Sequence, residues 1–204
     1  MFITFEGPEG SGKSTHSGLL CDFLRRKGFK VLYTREPGGT AVSEKIRGIL
    51  LDPGNKGMDV ACEMLLYMAA RAEIVKREIL PALKKRKIVV CDRFQDATLA
   101  YQGYAGGIDV NVIKKIGKIA TLGVSPDITF LLDIDVKKGL RRAGKNRDRI
   151  ERRPLRYHEA VRKGYLDIAR KEPRRVKIMH AVGDLDETQR KIRDVVLKLC
   201  HSKI

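Results

Sequence analysis

Short apolar runs rich in β-branched residues alternate along the chain with longer segments of helical periodicity. Five of these runs predict strands, at residues 2–5, 30–34, 88–92, 128–133 and 176–179. The segments between them predict helices at residues 13–27, 41–51, 59–83, 111–121, 136–143, 155–170 and 187–200. Strands that alternate with helices form a parallel sheet with helices on both faces. The pattern therefore predicts an α/β fold of three layers (α/β/α), whose ligands bind at the carboxyl ends of the strands.

The loop after the first predicted strand fits the phosphate-binding pattern G-x-x-x-x-G-K-[ST]. Its glycines let backbone N–H groups turn toward a bound anion, and the next helix adds its positive N-terminus. Lys13 would contact the β- and γ-phosphates of a nucleotide, and the Ser14 hydroxyl would bind Mg²⁺. A plain glycine-rich turn is the alternative, but strand, loop and helix occur in the order that the pattern requires. The predicted ATP-binding residues here are Gly7, Pro8, Glu9, Gly10, Ser11, Gly12, Lys13, Ser14 and Thr15.

Asp92 and Arg93 end the third predicted strand and begin the turn after it. A carboxylate at the tip of a buried strand is a common Mg²⁺ ligand in nucleotide-binding proteins. Arg93 stands where ATPases that activate water usually carry a glutamate, and a cation there suits transfer of a phosphoryl group to an acceptor. The pair therefore favours a kinase over a hydrolytic motor. Tyr101 and Gln102, farther along the chain, are available to face that acceptor.

Two further segments carry candidate binding residues, and each has a simpler interpretation. In residues 34–40, Pro37 stiffens the backbone and Thr40 can cap the next helix, so this segment is either part of a ligand site or a turn with a helix cap. In the third predicted helix, Tyr67 and Arg71 are four residues apart and share a face. They could stack on a base and hydrogen-bond to it, or the helix could pack into the core with the arginine reaching solvent.

The composition is that of a globular protein with one domain. The 204 residues are enough for one good core, with 43% hydrophobic and 33% charged residues. No apolar run approaches the length of a membrane span, and because the first residues already form the first predicted strand we expect no signal peptide. Cysteines 21, 62, 91 and 200 lack metal-ligand spacing, so we expect small buried thiols in a reducing cytoplasm.

The formal charge of +17 is concentrated in one segment, since residues 137–175 contain 16 Lys and Arg against 5 Asp and Glu. Such a concentration suits a nucleic-acid binder as well as an enzyme with anionic substrates. Aromatic residues that would stack on bases do not alternate with these charges, which makes an ATP-dependent nucleic-acid-binding protein the weaker alternative. We expect the arginine-rich stretch at about residues 137–153 to close over phosphates as a lid, while many other basic side chains are simply solvated.

Six short motifs together resemble the thymidylate kinases, over nearly the whole chain. They are the phosphate loop, Thr34-Arg35-Glu36-Pro37-Gly38-Gly39-Thr40, Ala69-Ala70-Arg71, Asp92-Arg93-Phe94, Ala100-Tyr101-Gln102-Gly103 and Asp148-Arg149-Ile150-Glu151. The resemblance implies a P-loop kinase sheet of strand order 2-3-1-4-5, transfer of phosphate from Mg²⁺·ATP to dTMP to give dTDP, and a homodimer. We expect residues 1–204 to form one such domain with a short basic lid. As partners of this cytoplasmic enzyme we expect ATP and dTMP rather than nucleic acid or membrane.

On the base side, the resemblance implies a role for each candidate residue. Tyr67 would stack on thymine, with Arg47 beside the ring. Arg71 would donate a hydrogen bond to a base carbonyl, and Gln102 would make a further base contact. Tyr67 stands where phenylalanine is common, and Ala97 stands where many bacterial members have a serine. The missing hydroxyl leaves open a kinase of another pyrimidine monophosphate or of deoxynucleosides.

On the sugar and phosphate side, the resemblance implies that Glu9 meets the 3′-hydroxyl and that Tyr101 crowds the 2′ position against ribose. Arg93 would bind the acceptor phosphate. Glu36, which is followed by Pro37 in the same substrate-binding segment, would lie near Mg²⁺ and that phosphate.

The lid is expected to supply a catalytic cation, because Gly10 stands where one branch of the family has a catalytic arginine. Arg149 is the first choice, with Arg147 and Arg142 behind it, and Arg142 could instead stack on adenine as an ATP-binding residue. The lid is somewhat shorter than in a familiar bacterial relative, so the assignment among these arginines stays open. The predicted catalytic residues are thus Lys13, Arg93, Arg149 and Glu9, and the predicted metal ligands are Ser14 and Asp92.

Overall fold

The computed structural model describes residues 1–144, 147–180 and 184–203, with side chains up to residue 200. Within these residues the sheet has five strands, β1 (Phe2–Glu6), β2 (Val31–Arg35), β3 (Ile88–Asp92), β4 (Ile128–Asp133) and β5 (Val176–His180). All neighbouring strands are parallel, and their order is β2-β3-β1-β4-β5. Each strand begins and ends within one residue of its predicted bounds. The predicted fold class and strand order are confirmed.

Helices connect successive strands and cover both faces of the sheet. They are α1 (Lys13–Arg26), α2 (Ala41–Leu51), α3 (Val60–Ile74), α4 (Leu80–Lys84), α5 (Gln95–Thr98), α6 (Val110–Ala120), α7 (Val136–Ala143), α8 (Leu155–Lys171) and α9 (Leu185–Lys203). A 3₁₀ turn at Pro53–Asn55 follows α2. Most bounds lie within one residue of the predictions, whereas α9 is longer at both ends than the predicted 187–200.

Two π-helical turns mark the segments in which the sequence prediction was incomplete. The helix predicted at 59–83 is one continuous helical segment in which Val75–Ile79 is π-helical, between α3 and α4. Pro81 lacks an N–H group and would clash with a carbonyl one turn earlier, so a wider turn precedes it. The second π-helical segment, Leu99–Ala105, continues α5 where we predicted no helix. Runs this short carry too little periodicity to reveal a wide turn.

The core lies on both faces of the central strands β1, β3 and β4, which are buried along their whole length. One face packs against α1 and α9, where Phe5 and Phe130 meet Leu20 and Val196. The other face packs against α3 and α8 in two further apolar clusters. This arrangement gives the three layers and holds the strand ends rigidly beneath the loops that follow them.

The carboxyl ends of β1, β2 and β3 lie side by side, because the register pairs Phe5 with Asp92 and Asp92 with Arg35. The phosphate loop, the segment after β2 and the turn after β3 therefore meet at one edge of the sheet. Thr40 caps α2 as predicted, since its Oγ1 accepts a hydrogen bond from Ser43 N at 3.2 Å. This edge is where the sequence predicts the ligands to bind.

The cysteines differ from the sequence prediction at one position. Cys21, Cys91 and Cys200 are buried free thiols, whereas Cys62 is exposed. Cys62 lies in the first turn of α3, where Glu63 and Met64 turn inward and Cys62 faces solvent. Among the described helices, none combines the length and the apolar character that crossing a bilayer requires.

Candidate active site

A cleft of about 580 Å³ opens at the carboxyl edge of the sheet. The phosphate loop, the segment after β2, α3, the helical segment after β3 and both ends of the predicted lid contribute to its walls. The predicted site residues that line it are Glu9, Gly10, Gly12, Lys13, Ser14, Thr15, Glu36, Pro37, Arg47, Tyr67, Asp92, Arg93, Tyr101, Gln102 and Arg142. Five other predicted residues do not line the cleft, namely Gly7, Pro8, Ser11, Arg71 and Arg149.

Lys13 is held inside the phosphate loop. It is the first residue of α1 and follows Gly12, whose φ of 85° is a left-handed conformation that suits glycine. Its ammonium donates a hydrogen bond to Pro8 O at 2.8 Å, which ties the side chain to the loop. Burial, together with the positive charge of Arg93, lowers the pKa of Lys13 from 10.5 to about 8. A bound anion would favour the charged form of Lys13, which is the behaviour expected of a phosphate-binding loop.

Two glycines bring the phosphate loop into backbone contact with α7. A Cβ atom at Gly10 would lie 2.1 Å from Gly139 O, and a Cβ atom at Gly139 would lie 2.2 Å from Glu9 O. Gly10 also has a φ of 64°, which residues with a side chain rarely adopt. The close approach joins the loop that precedes α1 to α7, the helix that forms the first part of the predicted lid.

Ser14 and Asp92 form the candidate metal site. The Ser14 hydroxyl donates to Asp92 Oδ2 at 2.5 Å and links the first turn of α1 to the end of β3. A hydroxyl and a carboxylate beside a phosphate loop are the oxygen donors that Mg²⁺ takes when nucleotide oxygens and water complete its shell, so these residues fit the ion. Over residues 1–144, 147–180 and 184–200, no group of three or more His, Cys, Asp or Glu side chains is arranged to hold a metal.

Arg93 is held in the cleft by contacts from three parts of the chain. Its Nη1 donates to Gly7 O at 3.0 Å and to the Tyr165 hydroxyl at 3.2 Å, and its Nη2 donates to Glu9 Oε2 at 2.9 Å. The guanidinium also lies over the Tyr101 ring, 5.1 Å from its centroid. The backbone of Arg93 has a φ of 68°, unusual for a residue with a side chain. These contacts fix a positive charge beside the phosphate loop.

Glu9 is a partly buried carboxylate that faces two cations. Its Oε1 accepts a hydrogen bond from the Tyr101 hydroxyl at 2.6 Å, and its Oε2 pairs with Arg93. Burial alone would raise the pKa of Glu9, but the positive charges of Arg93 and Lys13 outweigh it and lower the pKa to about 2. Glu9 is therefore an anion throughout the neutral pH range.

Glu6 and Tyr165, neither of which was predicted as a site residue, support Arg93 from the core. Glu6, at the end of β1, accepts hydrogen bonds from Phe94 N at 2.6 Å and from the Tyr165 hydroxyl at 2.8 Å. Burial raises the pKa of Glu6 from 4.5 to about 8, and the negative charge of Asp96 adds to the rise. A carboxylic acid at the end of a buried strand could have been singled out from the sequence. Nothing along α8 distinguishes Tyr165 from a core tyrosine.

A second part of the cleft combines an aromatic ring with polar side chains. Tyr67, Arg47, Ala97 and Gln102 line it. The Arg47 Nη1 donates to Pro37 O at 2.9 Å, which holds that guanidinium against the segment after β2. A ring, a guanidinium and an amide around one cavity can bind a planar ligand whose edge carries polar groups.

Arg71 lies beneath the cleft, whereas the family resemblance implies that it hydrogen-bonds to a base carbonyl. Its side chain is 1% exposed and donates to Glu36 Oε2 at 2.7 Å and to Phe94 O at 2.9 Å. A further hydrogen bond reaches Thr98. Burial raises the pKa of Glu36, against the opposing effect of Arg71. In this arrangement Arg71 shapes the floor of the cleft by holding Glu36, which lines it.

Arg149, our first choice for the lid cation, is anchored away from the cleft. Its side chain is buried, with Nε donating to Leu50 O at 2.7 Å and Nη2 in an ion pair of 2.6 Å with Glu63. A buried guanidinium held by α2 and α3 is part of the wall that supports the lid. Arg142, by contrast, lines the cleft.

The lid contributes further residues at both of its ends. Arg147 donates to Leu140 O at 3.2 Å, across the turn after α7. Within the predicted lid, Lys145 and Asn146 lie outside the described residues. The lining residues that we did not assign are Arg35, Leu51, Thr98, Asp148, Ile150 and Glu151. Arg35, Asp148, Ile150 and Glu151 belong to motifs quoted above, so their place in those motifs could have marked them as site residues.

The comparisons with known proteins agree with the motifs. The family model for thymidylate kinase matches residues 5–192. A thymidylate kinase of Symbiobacterium thermophilum is 50% identical over 197 residues, which cover 96% of this chain and 92% of the relative. A thymidylate kinase of Syntrophotalea carbinolica is 48% identical, over 94% and 92% of the two chains. A crystal structure of thymidylate kinase from Ehrlichia chaffeensis superposes with a TM-score of 0.79 at 36% identity, over 97% and 98% of the chains. By sequence and by structure, this chain belongs to the thymidylate kinase family.

Proposed function

We propose that this chain transfers the γ-phosphoryl group of ATP to dTMP, giving ADP and dTDP. An oxygen of the acceptor 5′-phosphate forms a bond to the γ-phosphorus, while the bond from that phosphorus to the β,γ-bridging oxygen breaks. Such a transfer needs little covalent help, so positioning and charge neutralisation supply most of the acceleration. Membership of the thymidylate kinase family supports the assignment of both substrates.

One observation carries the proposal, namely that Lys13 and Arg93 line the same cleft from the phosphate loop and from the end of β3. A hydrolase would need a group that activates water at this position, whereas an arginine can neutralise the charge between a phosphoryl donor and a phosphate acceptor. The ion pair of Arg93 with Glu9 supports this role, because it keeps the cation in the cleft before any substrate arrives.

The donor side follows from the phosphate loop. We propose that backbone N–H groups of residues 7–15 and the Lys13 ammonium bind the β- and γ-phosphates of ATP. Mg²⁺ would be held by the Ser14 hydroxyl and the Asp92 carboxylate, and when bound it supplies further neutralisation of phosphate charge. The hydrogen bond between these two side chains keeps their oxygen atoms together for that purpose.

The acceptor side is proposed to bind the nucleoside through separate groups. Tyr67 would stack on the base, with Arg47 and Gln102 at its edge. Glu9 would accept a hydrogen bond from the sugar 3′-hydroxyl, and Tyr101 would fill the space that a 2′-hydroxyl needs. The short hydrogen bond between the Tyr101 hydroxyl and Glu9 supports this pairing of the two residues on one sugar.

We propose that the whole chain acts as one kinase domain in which residues 137–153 form the lid. With Arg149 anchored to Glu63, Arg142 is the better candidate for the lid cation that approaches the nucleotide. Arg147 is the next candidate, since it lies across the turn from Leu140.

A coupled assay of ADP formation tests the proposed function directly. Purified chain would be mixed with Mg²⁺·ATP and each nucleoside and nucleoside monophosphate in turn. We expect dTMP to give the highest kcat/KM, with other pyrimidine monophosphates behind it. A higher kcat/KM for a nucleoside, or ATP hydrolysis without any acceptor, would overturn the proposal.

We further propose that the enzyme is a cytoplasmic homodimer, as the family resemblance implies. Exposed apolar side chains on three adjacent helices support a contact between two copies, and these are Ile49 on α2, Leu65 on α3, and Val112 and Ile119 on α6. Analytical ultracentrifugation of the purified chain tests the dimer, since a monomer at micromolar concentration would contradict it. Fractionation of cells that express the protein tests the location.

A further inference from the structure

Glu63 is a completely buried carboxylate that the proposed reaction does not use. It lies in the first turn of α3 and is 0% exposed. Its Oε2 pairs with Arg149 at 2.6 Å and with Arg153 at 2.7 Å, while its Oε1 accepts a hydrogen bond from Gln102 Nε2 at 2.7 Å. Burying a charge is costly unless it is paired and hydrogen-bonded, and here Arg153 and Gln102 donate hydrogen bonds to it while Arg149 adds an ion pair. One carboxylate thus connects α3, the base of the lid and a residue of the cleft.

The contact with Glu63 decides which end of the Gln102 amide faces the cleft. A side-chain amide has one end that donates and one that accepts, and a carboxylate flanked by two guanidinium groups only accepts. The Gln102 NH₂ group must therefore point to Glu63. The Gln102 Oε1 atom is left without a hydrogen bond from the described residues, on a side chain that lines the cleft.

A base that meets this oxygen must offer a hydrogen-bond donor. Thymine and uracil carry an N3–H group between two carbonyls, whereas N3 of cytosine is a bare acceptor. A carbonyl oxygen fixed toward N3 would bond to the first kind of base and would leave two acceptors face to face with the second. A site that is built to hydrogen-bond one group discriminates strongly against an analogue that lacks it.

We propose that Glu63 is a positioning residue for base selection: it fixes the Gln102 amide so that the acceptor site takes bases with an N3–H group and rejects cytosine. The inference rests on the proposed function, since it assumes that Gln102 faces the base of the acceptor. Glu63 acts only through Gln102 and touches no substrate.

The discriminating variant is Glu63→Gln, assayed with dTMP and dCMP as acceptors. The new amide can donate as well as accept, so Gln102 becomes free to turn its NH₂ group toward the cleft. We expect kcat/KM for dTMP to fall roughly tenfold, mostly through KM, as the loss of one hydrogen bond allows. For dCMP we expect kcat/KM to hold or rise, so the ratio of the two narrows.

Arg153→Gln is the matched control, because it removes a partner of Glu63 Oε2 without touching the bond to Gln102. A purely structural role of Glu63 would make both variants less stable and lower both activities together, with a constant dTMP to dCMP ratio. If Glu63→Gln does not fold, the double variant E63Q/R149Q carries the test against Arg149→Gln, since Arg149 is the buried partner of Glu63 and removing both partners of a buried pair is tolerated better than removing one.

A dTMP to dCMP ratio that narrows with Glu63→Gln and not with Arg153→Gln supports the inference. A ratio that stays constant, or that narrows equally in the control, overturns it. Failure of the proposed function would look different, because the unmodified chain would then not phosphorylate dTMP at all.

Discussion

Replacing Arg93 with alanine tests the centre of the proposed mechanism. The substitution removes three hydrogen bonds, to Gly7 O, to the Tyr165 hydroxyl and to Glu9 Oε2. It also relieves the left-handed backbone at this position only slightly, since alanine has a side chain too. The structural loss is therefore local, and it falls on the side chain proposed to neutralise the acceptor phosphate.

Two magnitudes follow from the contacts of Arg93. Loss of one charge contact to the transition state commonly lowers kcat by about a hundredfold or more. In addition, Glu9 loses the larger of the two charges that keep its pKa at about 2. Lowering a pKa from 4.5 to about 2 corresponds to about 3 kcal/mol. Because Lys13 supplies part of that effect, the variant should lose less than this amount of stability at neutral pH.

The pH dependence gives the sign of the effect. Glu9 has a depressed pKa in the folded protein, so its contribution to stability is present above pH 4.5 and is lost as the pH falls toward 2. The difference in unfolding free energy between the wild type and Arg93→Ala should therefore be widest near neutral pH and should shrink below pH 4.5. Urea titrations across this range measure it.

Arg93→Lys is the control that separates charge from shape. Lysine keeps a positive charge near Glu9 but cannot reproduce the planar fork of the guanidinium. We expect it to retain most of the stability at neutral pH while kcat for dTMP stays well below the wild-type value. A near-normal kcat in Arg93→Ala, from steady-state kinetics with saturating ATP and dTMP, would refute the assignment of this residue.

Three further predictions concern the sugar, the loop and the core. Tyr101→Ala should raise kcat/KM for ribo-TMP relative to dTMP by roughly tenfold, because it opens the space beside the 2′ position. The control Tyr101→Phe keeps the ring and should keep the discrimination. An unchanged ratio of the two kcat/KM values in both variants would count against a gating role. Gly10→Ala should lower Tm and raise KM for ATP, since its Cβ would lie 2.1 Å from Gly139 O. The control is Gly18→Ala in α1, where a Cβ meets nothing within 4 Å, and it should leave KM unchanged and raise stability by about 0.5–1 kcal/mol. Equal Tm values for the two variants would contradict this prediction. Glu6, with its pKa raised to about 8, contributes stability that is present below pH 4.5 and is lost as the pH rises through 8. Glu6→Gln should therefore flatten the fall in unfolding free energy between these two pH values. Parallel curves of urea-derived unfolding free energy against pH for the wild type and the variant would disprove this prediction.

The fold was predictable because its signal is local and repeated. Buried parallel strands are nearly continuous apolar runs, and β4 (Ile128–Asp133) ends at the charged residue Asp133. The phosphate loop is similar, because the backbone requirements of an anion nest restrict the residue types at fixed spacing. The family predicted from six motifs is confirmed by the family match over residues 5–192.

Parts of the site were not predictable because they depend on which side chains meet across the fold. Arg71 and Arg149 stand in motifs that suggest ligand contacts, yet Glu36 and Glu63 draw their guanidinium groups into the protein interior. Burial of an arginine is decided by a carboxylate far away in sequence, and no spacing rule contains that partner. Tyr165 was not predicted for the same reason, since its hydroxyl accepts a hydrogen bond from Arg93, which is far away in sequence.

The backbone contact between Gly10 and Gly139 limits how this protein could be rebuilt by transplanting parts. A chimaera that imports a phosphate loop with a larger residue at position 10 would push α7 outward, because the oxygen of Gly139 already occupies that space. The graft would succeed only if the donor also brought a helix shaped to meet its own loop. The unit of exchange is therefore the loop and the helix together, although residues 27–135 lie between α1 and α7 and belong to neither.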